Sequence, residues 1–239
     1  MTSKARLFYS KELKSGIISN LSKNQSHYIN NVMRVKPGDK ISLFNSFNGE
    51  WDAIIISNEK DFTKFKVEKL SKPQEEDSNL WLAFSPIKKN PQDIMLQKTT
   101  ELGIQKFFPL LCERSVVREI NTERAKKIAI ESSEQSNRLS VPEFFKIQSL
   151  ENFLHKFPEN GQLIFCDINC HSNNLKKIFL RKNPVCILIG PEGDFSENER
   201  ELIINHKKTI SISLAKNILR SETAAIAAST ILSFQLNSK

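Results

Sequence analysis

From Leu80 to its end the chain alternates short apolar runs with segments of helical pattern, and this alternation limits the fold more than any other feature. The apolar runs are "LWLAFSPI" (80–87), "KFFPLL" (106–111), "QLIFCDI" (162–168), "VCILIG" (185–190) and "TISISLA" (209–215). Most are continuous, which suits strands covered on both faces. A helix is expected from Asn90 as N-cap, with Pro91 at the first helical position, to about Leu102, where Gly103 stops it. Further helices are expected over 122–138, over "NNLKKIFLRK" (173–182), and from Ser221 as cap through 236. Five strands with helices between them predict an α/β fold with a mostly parallel sheet.

The first seventy residues follow a different rule. "ARLFYS" (5–10), "ISLFNSFNGEWDAIIIS" (41–57) and "FTKFKVEKL" (62–70) read as short strands, with a hairpin signal at Asn48-Gly49 and a turn at Lys36–Asp39. Residues 23–35 are more helical in character. Tight turns between short strands predict a small β-barrel. The polar stretch "KPQEEDSN" (72–79) reads as a linker, so the expected domains are 1–72 and 73–239.

Charge follows the same division. Residues 1–72 carry 13 Lys and Arg against 7 Asp and Glu, while 73–239 carry 22 against 20. A basic module beside a nearly neutral one suggests polyanion binding, and a lysine-rich solvated surface is the plainer alternative. No run of apolar residues is long enough to span a bilayer, and Met1–Arg6 lacks an apolar signal core, so a cytoplasmic protein without membrane contact is expected. The cysteines Cys112, Cys166, Cys170 and Cys186 fit that compartment, three of them lying in or beside apolar runs as small buried groups. Cys166, Cys170 and His171 lack a second ligand pair, so no metal site is expected.

One turn carries the densest chemistry. Val185–Ile189 runs into Gly190-Pro191-Glu192-Gly193, and Ser196 with Glu199 then forms a capping box that should start a helix at about Glu197. A stiff glycine turn at the carboxyl end of a buried strand is where open α/β sheets bind ligands, although an ordinary strand-to-helix turn has the same composition. Dinucleotide fingerprints, phosphate loops, nucleophile elbows and H-E-x-x-H zinc motifs do not occur.

Several segments, in order, carry a resemblance: "HYINNVMRVKPGDKISLFN" (27–45), "QKTTELG" (97–103), "ERS" (113–115), "EQSNR" (134–138), "IGPEGDFSENE" (189–199) and "SLAKNILRSETAA" (213–225). Together they are similar to the RsmE family of SPOUT-class methyltransferases, which methylate N3 of a uridine in 16S ribosomal RNA. The resemblance implies a parallel sheet with a C-terminal trefoil knot, preceded by a PUA-like β-barrel that helps hold RNA. It implies S-adenosyl-L-methionine as methyl donor, the small ribosomal subunit or its 16S rRNA as partner, and a homodimer formed through the second domain. The donor pocket would have three walls. One is Ile189, Gly190, Pro191, Glu192 and Gly193; the second is Leu214, Ile218 and Leu219, continuing to Thr223 and Ala224; the third is Leu102 and Gly103. Arg220 is the candidate for stabilising charge on the uracil, its other reading a phosphate-positioning or structural arginine, and Glu101 is a candidate base whose other reading is a helix-terminal salt bridge. Arg34 is the candidate RNA contact of the barrel, and Arg114 and Arg138 are candidate RNA or dimer contacts whose other reading is plain surface charge. Asp194 stands where the family usually has glycine, and Ala215 and Asn217 where it usually has Gly and Arg. Asp tolerates a left-handed backbone better than most residues, so weaker or slightly altered donor binding with activity retained is expected, along with the loss of one RNA contact at Asn217.

Overall fold

The computed structural model describes residues 3–59, 62–74, 79–170 and 183–237. The chain divides into two compact units, Met1–Glu76 with Ser133–Val141, and Asp77–Ser132 with Pro142–Lys239. The return of residues 133–141 to the first unit changes the charge count. That unit holds 14 basic and 10 acidic residues, and the second holds 21 and 17, so the two excesses are equal.

In the first unit, β1 (Arg6–Phe8), β2 (Ile18–Asn20), β3 (Lys40–Asn45), β4 (Gly49–Asn58) and β5 (Thr63–Lys72) pair in the order β1-β3-β4-β5-β2. Only the β1–β3 pair is parallel. The hairpin falls at Asn48-Gly49, as its sequence predicts. Gly49 has φ 77°, and a Cβ there would run into the Lys72 carbonyl, so glycine is required twice over. Helix α1 (Lys23–His27) starts on a capping box of Ser22 and Gln25, continues as a π turn over Tyr28–Val32, and is followed by Arg34 at φ 52°. Leu7, Ile29, Leu43, Ile55, Phe65 and Val67 form the core. Arg6 explains why residues 133–141 belong here. Its guanidinium lies 3.8 Å from the Phe44 ring centroid, pairs with buried Glu50 at 2.8 Å, and donates to the carbonyls of Ser133 (2.8 Å) and Arg138 (2.6 Å).

The second unit is built on a sheet of parallel pairs. Its strands are β6 (Leu80–Phe84), β7 (Lys106–Leu111), β8 (Glu143–Phe144), β9 (Gln148–Ser149), β10 (Gln162–Cys166), β11 (Val185–Ile189) and β12 (Thr209–Ile212). The order is β12-β10-β11-β6-β7-β8, with β9 also on β7. The five longer strands are those read from the sequence; β8, β9 and the short helix α4 (Leu150–His155) are not. Alternate residues of β6 and β11 bury on opposite faces. Leu80, Leu82, Phe84, Val185, Ile187 and Ile189 meet Met95, Leu96, Ala225, Ala228 and Leu232, from α2 (Lys89–Glu101) and α6 (Ser221–Asn237). Trp81, Ala83, Cys186 and Leu188 meet Phe153, Leu154 and Ile203, from α4 and α5 (Glu197–Asn205). Continuous apolar runs therefore mean what they should: a sheet covered twice.

Helix boundaries differ from expectation at three places. α2 begins at Lys89 with Lys88 as cap, so Asn90 does not cap it. Pro91 sits inside the first turn, where its missing N–H would have had no helical partner anyway. α3 (Thr122–Gln135) ends before 138, followed by Asn137 at φ 61°. α6 begins at Ser221 itself; the Arg220 carbonyl accepts from the Ala224 amide at 2.8 Å, and the Ser221 hydroxyl turns elsewhere. The helix expected over 173–182 lies outside the described residues. No described helix is long and apolar enough to cross a membrane.

Candidate functional site

The strand order dictates where a cavity forms. β12 is an edge strand beside β10, whereas the next element, α6, packs on β11, β6 and α2. The connection over residues 213–220 must therefore travel back across the carboxyl ends of the strands, where the turn after β11 also stands. Two walls meet there around a cavity of about 360 Å³, lined by Pro91, Cys166, Ile168, Ile189, Gly190, Pro191, Glu192, Asp194, Ile218, Leu219, Arg220, Ser221, Glu222 and Ala224. A smaller recess adjoins it, with Asp167, Leu214, Ala215 and Asn217 among its lining.

The first wall is fastened along its length. Asp194 supplies the left-handed residue at φ 59°, and neither glycine of the turn has positive φ. Its amide donates to the Pro191 carbonyl at 3.0 Å, and its carboxylate accepts the Phe195 amide at 2.8 Å. Gly190 is needed for packing. A Cβ on it would stand 2.8 Å from the Phe195 ring, so the space it leaves open is filled by that buried side chain. Gly193 faces the other way, where a Cβ would meet the Cβ of Arg114 at 3.4 Å. Arg114 donates to the carbonyls of Gly193 (3.4 Å) and Phe195 (3.3 Å). The capping box forms as its sequence predicts, starting α5 at Glu197. Buried Glu199 accepts the Ser196 amide at 3.0 Å and also the Glu113 amide at 2.8 Å, which ties the loop after β7 to this turn. The Ser221 hydroxyl donates to the Gly190 carbonyl at 3.1 Å and joins this wall to α6.

The second wall is open. Residues 215–218 are exposed, and Ile218 is 83% exposed although it lines the cavity. Arg220 and Glu222 stand at the start of α6 on the cavity. Neither side chain has a hydrogen bond or ion pair among the described residues. Beneath them, Asp167 is held by Arg200 at 2.7 Å, and this bond raises the Arg200 pKa. Burial pushes the Cys166 thiol up to about 12, so it serves as lining and not as a nucleophile. Among the described residues no cluster of His, Cys, Asp and Glu could hold a metal.

The cavity thus brings together Ile189, Gly190, Pro191, Glu192, Ile218, Leu219, Arg220 and Ala224, with Leu214 in the adjoining recess. It does not bring in Leu102, Gly103 or Glu101. The cavity touches α2 at Pro91, about 16 Å along the helix from Leu102. The end of α2 leads to Gln105, whose amide bonds Leu80 at the amino end of β6, whereas the cavity is at the carboxyl ends. Glu101 is bonded to Lys98 at 3.0 Å. Exposed Thr223 and Gly193 are also outside the lining. In the first unit Arg34 is exposed, and the Arg138 guanidinium donates to Ser140 at 3.2 Å. Sequence reading missed Pro91, Cys166, Ile168 and Glu222; the rule that parallel sheets bind at carboxyl ends points to Cys166, the last residue of β10, and to Ile168 just beyond it.

A family described as RNA methyltransferase domain matches residues 74–233, and one described as RNA methyltransferase PUA domain matches 21–68. A Rickettsia conorii protein named ribosomal RNA small subunit methyltransferase E is 36% identical over 211 residues, covering 87% of this chain and 85% of that protein. A Buchnera aphidicola protein of the same name is 30% identical over 234 residues, covering 95% and 94%. Among solved structures, a ribosomal RNA small subunit methyltransferase E from Neisseria gonorrhoeae bound to S-adenosyl methionine has a TM-score of 0.88 at 29% identity, over 97% of both chains. A Legionella pneumophila methyltransferase in complex with S-adenosyl methionine has 0.87 at 26%, over 98% of both.

Proposed function

We propose that this chain, which belongs to the RNA methyltransferase family of the small-subunit ribosomal RNA methyltransferases E, transfers a methyl group from S-adenosylmethionine to N3 of a uridine in 16S ribosomal RNA. The observation that carries the reading is the cavity between the fastened turn and the return loop. Its volume of about 360 Å³ falls within the range of small-molecule sites, ~300–1,000 Å³. Its lining mixes apolar Ile189, Ile218, Leu219 and Ala224 with backbone polar groups of the turn, which fits a flat base joined to a polar tail. The donor brings an activated methyl on a sulfonium, so the chemistry calls for no metal.

The protein's own work is then positioning and charge control. The turn from Gly190 to Ser196 is held in one shape before binding, so little order is lost there on binding. Ile218 and Leu219 cover apolar surface of the ligand. Arg220 stays protonated and cannot act as a base, but its fork of donors can stabilise charge that grows on a uracil carbonyl as the ring loses its N3 proton. The reading extends to a C-terminal knot, to a homodimer through the second unit, to RNA contacts at Arg34 in the first, and to work in the cytoplasm.

Calorimetry with S-adenosylmethionine, followed by mass mapping of small-subunit RNA incubated with enzyme and donor, tests it. Binding and a single new methyluridine are expected; a folded protein that binds no donor would sink the reading. Arg220→Ala should lower single-turnover kcat by roughly 100-fold, comparable to losing one oxyanion donor, with donor affinity little changed.

A further inference from the structure

Among the described residues, three carboxylates line the cavity, on Glu192, Asp194 and Glu222, beside the Arg220 guanidinium. They are not equivalent. The Asp194 carboxylate is occupied by the Phe195 amide at 2.8 Å, and Glu192 is exposed on the turn. Glu222 is half-buried in the first turn of a 17-residue helix, two positions from Arg220. Four other carboxylates of this unit are committed. Glu101 holds Lys98, Asp167 holds Arg200, Asp93 holds Arg124, and Glu199 holds two amides. A carboxylate fixed on a rigid element at a cavity edge, with no bond of its own among the described residues, is available to a ligand.

We infer that Glu222 is the catalytic base, accepting the N3 proton of the target uracil; this rests on the function proposed above. In the step, the N3–H bond breaks and its proton passes to a Glu222 oxygen. The nitrogen electron pair forms the bond to the methyl carbon, and the carbon–sulfur pair returns to sulfur, which leaves as a neutral thioether. Arg220, on the same turn of chain, stabilises the charge that the ring carries while the proton departs. The proton then passes from Glu222 to water. Among the described residues, the other charged groups lining the cavity with Glu222 are Arg220, Glu192 and Asp194.

The test is Glu222→Gln, which keeps the shape and removes the basic oxygen. Single-turnover methylation of unmodified small subunits should fall by ~100-fold or more, the usual contribution of a general base. Donor affinity by calorimetry should stay within about threefold and the melting temperature should not move. Small subunits from cells grown on 5-fluorouracil, whose N3–H is more acidic, should regain much of the lost rate with Glu222→Gln. A variant within fivefold of wild type, a collapse of donor affinity, or no gain on the fluorinated substrate would each overturn the role of Glu222. A wild-type protein that itself methylates nothing would overturn the parent function, and this role with it.

Discussion

The turn from Gly190 to Ser196 and the loop from Ser213 to Arg220 line the same cavity, yet one is fastened and the other is open. In the turn, Phe195 is 4% exposed against the Gly190 backbone, and the bonds of Asp194, Arg114, Glu199 and Ser221 converge on seven residues. In the loop, residues 215–218 are exposed and an isoleucine stands in solvent. Ordering the turn costs entropy during folding, so binding does not have to supply it again; the loop leaves that cost, and the burial of Ile218, to the moment of binding. The turn should therefore answer to mutations that disturb packing, and the loop to mutations that remove ligand contact.

The strongest way to break the contrast is Gly190→Val. Its branched side chain would collide with the Phe195 ring, and overpacking of ~1–3 kcal/mol corresponds to a donor-affinity loss of roughly 10- to 100-fold if the turn gives way. Adding Phe195→Leu should recover part of the affinity. If the double variant is no better than the single one, the glycine serves the ligand and not the ring. Next comes Glu199→Ala, which leaves two amide donors, of Ser196 and Glu113, without their acceptor. A loss of about 2 kcal/mol in denaturant unfolding is expected; a loss below ~0.5 would mean the box does not hold the wall. Ile218→Ala should do the reverse. Donor affinity should weaken about tenfold, because apolar area covered on binding is lost, while the melting temperature stays put. A drop in stability with unchanged affinity would show that the loop is packed without ligand. The smallest effect is expected from Arg114→Ala. Its bonds to the turn are long, 3.3 and 3.4 Å, and the residue is exposed, so affinity for the donor should change less than about threefold. A tenfold loss in donor affinity would make Arg114 a main brace of the turn.

Features governed by neighbours in the chain could be read from the sequence. The five longer strands of the parallel sheet, the Asn48-Gly49 hairpin, the Ser196–Glu199 box and a tolerated left-handed Asp194 each depend on a few consecutive residues, and each is found where those residues stand. The start of α2 falls two residues before the one an Asn-Pro pair marks locally, with Lys88 at the cap position and no side-chain capping bond there. Long-range partners could not be read at all. Arg6 closes on carbonyls more than 120 residues away, and Glu199 reaches the Glu113 amide across 86 positions. Gly190 met the right turn for a reason that no local pattern contains, the approach of a ring five residues on that folds back over it. Leu102 and Gly103 looked like cavity residues because their motif stands beside others that are, but a helix in a parallel sheet carries its end to the far side from its beginning. Sequence by itself determined the longer elements, since torsion preferences and burial periodicity are local. Which of their ends meet was decided by strand order, because only packing brings residues a hundred positions apart within bonding distance.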